Sequence, residues 1–451
     1  MKKPLTSPHI APSDVHEVIG RHILADGYDM VLDLEKSQGR RLWDSRRDRS
    51  YLDLFSCFAT LPIGLNHPLM KEPAFLAKLT RAALTNPTNS DVYTVEMAEF
   101  VDAWERFAMP SHLPHLFLIA GGSAAVENAL KAAMDWKVRR NFANGAREER
   151  GHTIIHFQDA FHGRGGYTLS LTNTADPRKH QYFAKFDWPR VPNPALRFPV
   201  DTAELARVQK AEAESLAAIE KAFAEHGDDV AAIILEPIQA EGGDHHFRPE
   251  FLSALRRVCD EREALLIFDE VQTGMGITGR MWSHEHFDVK PDLLAFGKKT
   301  QVCGIMAGPR LDDEPENVFR VSSRINSTWG GNLVDMVRCQ RYLEIMASED
   351  LVGNAERVGG QLLNALTSLV GEMPEVLSNA RGRGLMCAVD LPDGASRDAV
   401  RNAMYERGVI ILGCGTRSLR FRPPLDITSA EVDEALDLLR TSVRKVLKPA
   451  A

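Results

Sequence analysis

Between residues 76 and 335, short and almost unbroken apolar runs alternate with longer stretches of mixed polarity. Leu116-Phe-Leu-Ile-Ala120, Thr153-Ile-Ile-His-Phe157, Val230-Ala-Ala-Ile-Ile-Leu235, Ala264-Leu-Leu-Ile-Phe268 and Leu293-Leu-Ala-Phe296 have strand length. Most show no polar alternation, which predicts strands buried on both faces. The stretches 124–140 and 202–226 are long enough for helices that cover them. This alternation predicts an α/β fold whose sheet is mostly parallel and covered by helices on both sides. After residue 335 the order changes. Helices are predicted over 337–347 and 358–370, strands over 384–391 and 409–412, and a last helix over 430–447 with Ser429 available as its cap. Residues 336–451 therefore read as a smaller α+β domain beside a large one over 76–335. Residues 1–75 read as a short helix, strands and turns, including the turn Gly64-Leu-Asn-His-Pro68, and are expected to pack with the smaller domain.

Composition narrows the function classes. The chain has 451 residues, 44% hydrophobic and 26% charged, enough for a large buried core. Its net charge of −8 gives no reason to expect a nucleic acid or an anionic membrane as partner. No apolar run approaches the length of a membrane span, and Met1-Lys-Lys-Pro-Leu-Thr-Ser-Pro lacks the apolar core of a signal peptide. Six cysteines are scattered without a Cys-x-x-Cys pair, so a reduced, cytoplasmic protein is expected.

The candidate chemistry lies where the apolar runs end. Ala264-Leu-Leu-Ile-Phe-Asp269-Glu-Val-Gln272 ends a buried run in a carboxylate, and Leu293-Leu-Ala-Phe-Gly297-Lys298 follows the next run with a lysine. A lysine can hold an aldehyde as a Schiff base, and an acid can keep a pyridine nitrogen protonated, the two requirements of pyridoxal phosphate. A buried carboxylate at Asp269 needs a cationic partner, which a pyridinium would be. Spacing does not separate Lys298 from Lys299, and a solvated lysine pair is the plain alternative.

Ile119-Ala-Gly121-Gly122-Ser123 ends a strand and opens a helix, a turn that can present amides to a phosphate. Phe161, in Phe157-Gln-Asp159-Ala-Phe161-His162-Gly163-Arg164, could stack on a pyridine ring or simply be core, and His162 reads as structural. Glu236 and Glu241 lie beyond the Val230–Leu235 strand, where open α/β sheets bind ligands. Arg324-Ile-Asn326-Ser327-Thr328-Trp-Gly-Gly331 is a second candidate for an anion, or an ordinary polar turn. Ser418-Leu-Arg420-Phe-Arg422 puts two arginines on one face of an extended segment, suited to carboxylates or merely exposed.

At these residues the chain resembles the class III pyridoxal-phosphate aminotransferases of fold type I, over nearly its whole length. The closest wording is in Phe161-His-Gly-Arg164-Gly-Gly-Tyr-Thr-Leu-Ser, Glu236-Pro-Ile-Gln-Ala-Glu241-Gly-Gly-Asp, Gly297-Lys298-Lys-Thr-Gln-Val-Cys-Gly304 and Asn326-Ser-Thr-Trp-Gly-Gly. The resemblance implies a seven-stranded sheet and pyridoxal 5'-phosphate. It implies that Lys298 carries the cofactor, that Asp269 faces its ring nitrogen, and that Gln272 reaches its hydroxyl and the substrate. Gly122 and Ser123 would bind the phosphate, Phe161 would cover the ring, and Thr328 would reach the phosphate of a partner subunit in a homodimer. Within the class it is most similar to members that move the terminal amine of L-lysine to 2-oxoglutarate. Ornithine, acetylornithine and 4-aminobutyrate are the alternative donors. Arg420 would take the carboxylate beside the reacting carbon of 2-oxoglutarate, Glu241 would pair with Arg420 when lysine is bound, and Arg164, with Asn326 nearby, would hold the far carboxylate. One departure is Gly121-Gly122-Ser123 where the class usually has Ser-Gly-Thr, which touches the side-chain contribution and leaves the amides in place.

Three other readings are weaker. Gly274-Met-Gly276-Ile-Thr-Gly279 has the spacing of a dinucleotide loop but does not join a strand directly to a helix. His152 and His156 have metal-ligand spacing but fall on a strand candidate, where four residues of rise separate them by about 13 Å. A catalytically inert binding protein is disfavoured by the presence of both Lys298 and Asp269.

Overall fold

The computed structural model describes residues 9–447. Its largest sheet has seven strands in the order His115–Ile119, Cys303–Ala307, Leu293–Phe296, Leu265–Asp269, Val230–Leu235, Thr153–Phe157 and Arg190–Val191. All neighbours run parallel except Cys303–Ala307, which is antiparallel to both of its own. The α/β class and the mostly parallel sheet are as the sequence pattern predicts. The reversed strand Cys303–Ala307, although apolar, and the two-residue edge strand Arg190–Val191 are not among the strands expected from the sequence.

The two faces of the sheet are divided residue by residue. Ala232, Ile234, Leu265, Ile267 and Leu293 pack with Val126, Ala129, Leu130 and Ala133 of the helix Gly122–Ala143. Ile233, Leu235, Leu266 and Phe268 pack the other way, with Phe251, Leu252 and Leu255 of the helix Pro249–Glu261. Strands loaded on both sides explain runs with no polar alternation. Each leucine, isoleucine, valine or phenylalanine among them, fully buried, contributes about 1.5–3 kcal/mol.

The N-terminal strands Leu32–Gln38, Arg41–Asp44 and Arg49–Asp53 form an antiparallel set extended by Val409–Ile410, which runs parallel to Arg49–Asp53. A second antiparallel sheet orders Ser378–Arg383, Met386–Asp390, Ser418–Phe421 and Leu412–Cys414. Of the two strands expected here from the sequence, the first stands as Met386–Asp390 and the second is divided. The run 384–391 is half of a hairpin, because Gly384 turns the chain at φ +52° and Met386–Asp390 folds back on Ser378–Arg383. The run 409–412 breaks at Ile411, so that its ends serve two different sheets. The last helix, Ser429–Val446, is capped by Thr428 and not by Ser429: the Thr428 hydroxyl accepts from the Glu431 amide, and the Glu431 carboxylate accepts from the Thr428 amide. Among the described residues no helix is long and apolar enough to cross a membrane.

Candidate active site

The carboxyl ends of the parallel strands open onto a cavity of about 290 Å³, lined by Gly122, Ser123, Phe161, His162, Gly163, Arg164, Glu236, Asp269, Val271, Gln272 and Lys298. Each strand delivers its next residue to this end. Leu265–Asp269 ends in Asp269, Leu293–Phe296 is followed by Gly297 and Lys298, and Val230–Leu235 is followed by Glu236. This is the mouth at which open α/β sheets hold ligands.

Asp269 is 4% exposed and doubly held. Its Oδ1 accepts from the Val271 amide at 3.0 Å, and its Oδ2 accepts from His162 Nδ1 at 2.8 Å. The sequence reading of His162 as structural missed this bond; the two residues are 107 positions apart and nothing local signals it. His162 Nε2 is buried with no hydrogen-bond partner among the described residues. Glu236 is also buried, and its oxygens accept from the amides of Phe161 and Ala240 at 3.0 and 3.1 Å. Burial, with Asp269 nearby and despite His162, pushes its carboxyl up to about 7.

Lys298 and Lys299 are not a solvated pair. Lys298 faces the cavity, and burial together with Arg420 lowers its pKa against the opposing pull of Asp269 and Glu236. A larger fraction is then the neutral amine needed for nucleophilic and proton-transfer work. Lys299 is 1% exposed, and its Nζ donates to the Gln272 carbonyl at 3.1 Å, so it braces the strand exit from behind.

The phosphate candidate is the N-terminus of the helix Gly122–Ala143, where Gly121 makes no side-chain cap. A Cβ at Gly122 would lie 2.9 Å from Val271 Cγ1, so only glycine lets this turn approach the Asp269–Gln272 segment so closely. The Ser123 hydroxyl is committed elsewhere. It lies 2.7 Å from Thr168 Oγ1 and accepts from the Gly165 amide at 3.1 Å, tying down the loop that carries Arg164.

The two arginines do lie on one face, and both reach Gln272 Oε1, Arg420 Nη1 at 3.3 Å and Arg422 Nε at 3.2 Å. Neither is on the surface. Arg422 is fully buried and paired with Asp244. Arg420, 3% exposed, pairs with Glu241 Oε2 at 2.7 Å and keeps a buried Nε that has no partner among the described residues. Burial alone would raise the Glu241 carboxyl, but Arg420 and Lys179 hold it below the usual carboxylate range. Arg164 is exposed at the cavity rim and has no ion-pair partner among the described residues. Asn326 and Thr328 are not brought to this cavity within the chain; both are exposed on the turn after Arg324, whose guanidinium pairs with Asp135.

The donor set fits pyridoxal phosphate: a helix N-terminus behind a glycine for the phosphate, an aromatic ring, a buried carboxylate for the ring nitrogen, and a lysine of lowered pKa. The chain matches the family model "Aminotransferase class-III" over residues 23–443, and it belongs to that family of pyridoxal-phosphate enzymes. Among curated relatives it is 50% identical over 433 residues to an L-lysine-epsilon aminotransferase of Mycobacterium tuberculosis, covering 96% of each chain. The solved structure of lysine aminotransferase from M. tuberculosis in the internal aldimine form is 50% identical, with a TM-score of 0.95 over 97% of this chain and 100% of that one. The mitochondrial 4-aminobutyrate aminotransferase of Mus musculus is more distant, 33% identical over 432 residues, with 89% of this chain and 82% of the mouse protein covered.

Proposed function

We propose that the protein transfers the terminal amine of L-lysine to 2-oxoglutarate, forming glutamate and 2-aminoadipate 6-semialdehyde, which cyclises to piperideine-6-carboxylate. The observation that supports this best is the Glu241–Arg420 pair beside the cavity. The reacting carbon of lysine bears no carboxylate, so an unpaired Arg420 would lose its solvation for nothing. Leaving one partner of a buried ion pair alone costs about 3–5 kcal/mol. Glu241 neutralises Arg420 during the lysine half and releases it to the carboxylate of 2-oxoglutarate in the other. The identity to lysine-epsilon aminotransferases, set against the lower identity to a 4-aminobutyrate enzyme, favours lysine over the other donors.

The bound cofactor supplies the electron sink that makes the substrate carbon acidic. Asp269 holds the negative charge that suits a protonated ring nitrogen, and His162 fixes its orientation. Lys298, neutral once free, moves the proton at the reacting carbon. Arg164 holds the far carboxylate of both substrates. The exposed Thr328 serves a partner subunit's phosphate, so the working form is a homodimer, with Asn326 beside the same shared site. Six unpaired cysteines suit a cytoplasmic setting.

The test is transfer from L-lysine labelled at the terminal nitrogen. The label should appear in glutamate and the carbon product should be the cyclic imine; label left in the product, or turnover with ornithine or 4-aminobutyrate only, overturns the substrate. Two substitutions probe the substrate contacts. Glu241→Ala should damage kcat/KM for lysine about 10²–10⁴-fold, the effect of an unpaired buried arginine, and that for 2-oxoglutarate far less. Equal losses would refute the switch. Arg164→Ala should raise KM for lysine about tenfold or more, as expected for one lost charge-assisted contact, with cofactor binding retained. An unchanged KM would remove Arg164 from the substrate site.

A further inference from the structure

The pairing of Glu241 has a second side. Its Oε2 lies on Arg420, while its Oε1 accepts from Nζ of Lys179. Lys179 comes from a short turn, Pro177–Lys179, that is 62 positions away in sequence and is held by the Asp176 carboxylate, which accepts from the Arg178 amide at 3.2 Å. The ammonium also sits over the ring of Phe161, 6.0 Å from its centroid. Glu241 is thus bridged between two cations, one buried against Gln272 and one on the side of the Phe161 ring. The side chains of Lys179 and Glu241 are 20% and 21% exposed, against 3% for Arg420, so the pair is only partly screened by water.

We propose that Lys179 is a positioning residue that keeps Glu241 when Arg420 lets it go, and so sets the affinity for the dicarboxylate substrate. The inference rests on the Glu241 switch described above. A simple charge count supports it. Arg420, Lys179 and Glu241 together carry one net positive charge, and a substrate carboxylate arriving on Arg420 brings the group to zero. Without Lys179 the same arrival leaves two carboxylates sharing one arginine, and like charges at close range in a partly dry site repel strongly. Glu241 does not need to find a new partner in order to leave Arg420, because it already holds one. The lysine half makes no such demand: Glu241 stays on Arg420, and no second carboxylate enters that corner.

Lys179→Met keeps the apolar stem and removes the charge. In a ping-pong reaction kcat/KM for each substrate reports its own half. The variant should lose about tenfold or more in kcat/KM for 2-oxoglutarate, through KM, and change less than about threefold for lysine. Lys179→Arg should restore the 2-oxoglutarate value. Calorimetry of the holoenzyme with glutarate, an unreactive dicarboxylate, should show binding weakened by a similar factor. In a Glu241→Gln background the Lys179→Met change should shrink below about threefold, since there is no carboxylate left to anchor. Equal losses in both halves, an unchanged glutarate affinity, or a full effect in the Glu241→Gln background would each overturn the proposal. The glutamate half-reaction followed alone gives the same reading without lysine, so a wrong amine donor would be seen separately from a wrong role for Lys179.

Discussion

Lys298→Ala should abolish transamination while leaving the fold intact and the cofactor able to bind. Lys298 follows Gly297 at the exit of the Leu293–Phe296 strand, faces the cavity, and has its pKa lowered mainly by burial. Two functions are lost together: covalent capture of the aldehyde and proton transfer at the substrate carbon. A positioned acid–base group alone is worth about 10²–10⁴ in rate, so kcat should fall by at least roughly 10⁴. The neighbouring lysine is the internal control. Lys299 is buried on the far side with its ammonium on the Gln272 carbonyl, so Lys299→Met should lower stability while the cofactor's covalent absorption band persists. Turnover and absorption spectra of the two variants decide the matter. Activity surviving in Lys298→Ala, or a covalent band lost only in Lys299→Met, would reverse the roles given to the two lysines.

This contrast also shows what could be read from the chain in advance. The strands of the central sheet were legible because they are loaded on both faces, as Ile233 against Ile234 and Leu266 against Ile267 make plain. Asp269 and Lys298 were legible as polar residues ending such runs. The reversed direction of Cys303–Ala307 was not, since direction is a property of pairing with Leu293–Phe296 and His115–Ile119 and leaves no local mark. The division at Ile411 was equally hidden, because both halves of the run are apolar and only their neighbours differ. In the site, the long-range pairs escaped. His162 on Asp269, Lys179 on Glu241 and Asp244 on Arg422 join residues 107, 62 and 178 positions apart, and charge alone does not say which acid meets which base. The alternate spacing of Arg420 and Arg422 did indicate a shared face. It did not indicate that each would be buried with an acid of its own.

Asp269→Asn should keep the shape of the site and lose most of the activity. Asp269 accepts from the Val271 amide with one oxygen and from His162 Nδ1 with the other. An asparagine preserves the first contact and nearly the same volume. It cannot supply the negative charge that favours a protonated ring nitrogen. Removing one fixed electrostatic partner from a water-poor site costs about 10²–10³ in kcat, and that is the loss expected. The variant should also hold pyridoxal phosphate less tightly and shift the absorption of the bound cofactor, because the ring nitrogen loses its reason to stay protonated. His162→Gln provides the graded comparison: it leaves the carboxylate in place but frees its orientation, so its loss should be smaller, about tenfold, with the absorption band little changed. Kinetics alone would not distinguish a damaged fold from a lost charge, whereas the spectrum does. If Asp269→Asn retained a wild-type spectrum and rate, the carboxylate would have only the structural role of holding His162 and the Val271 turn, and the ring nitrogen would need another partner in this cavity. Glu236 would then be the acid to examine, since it is buried and lines the same cavity.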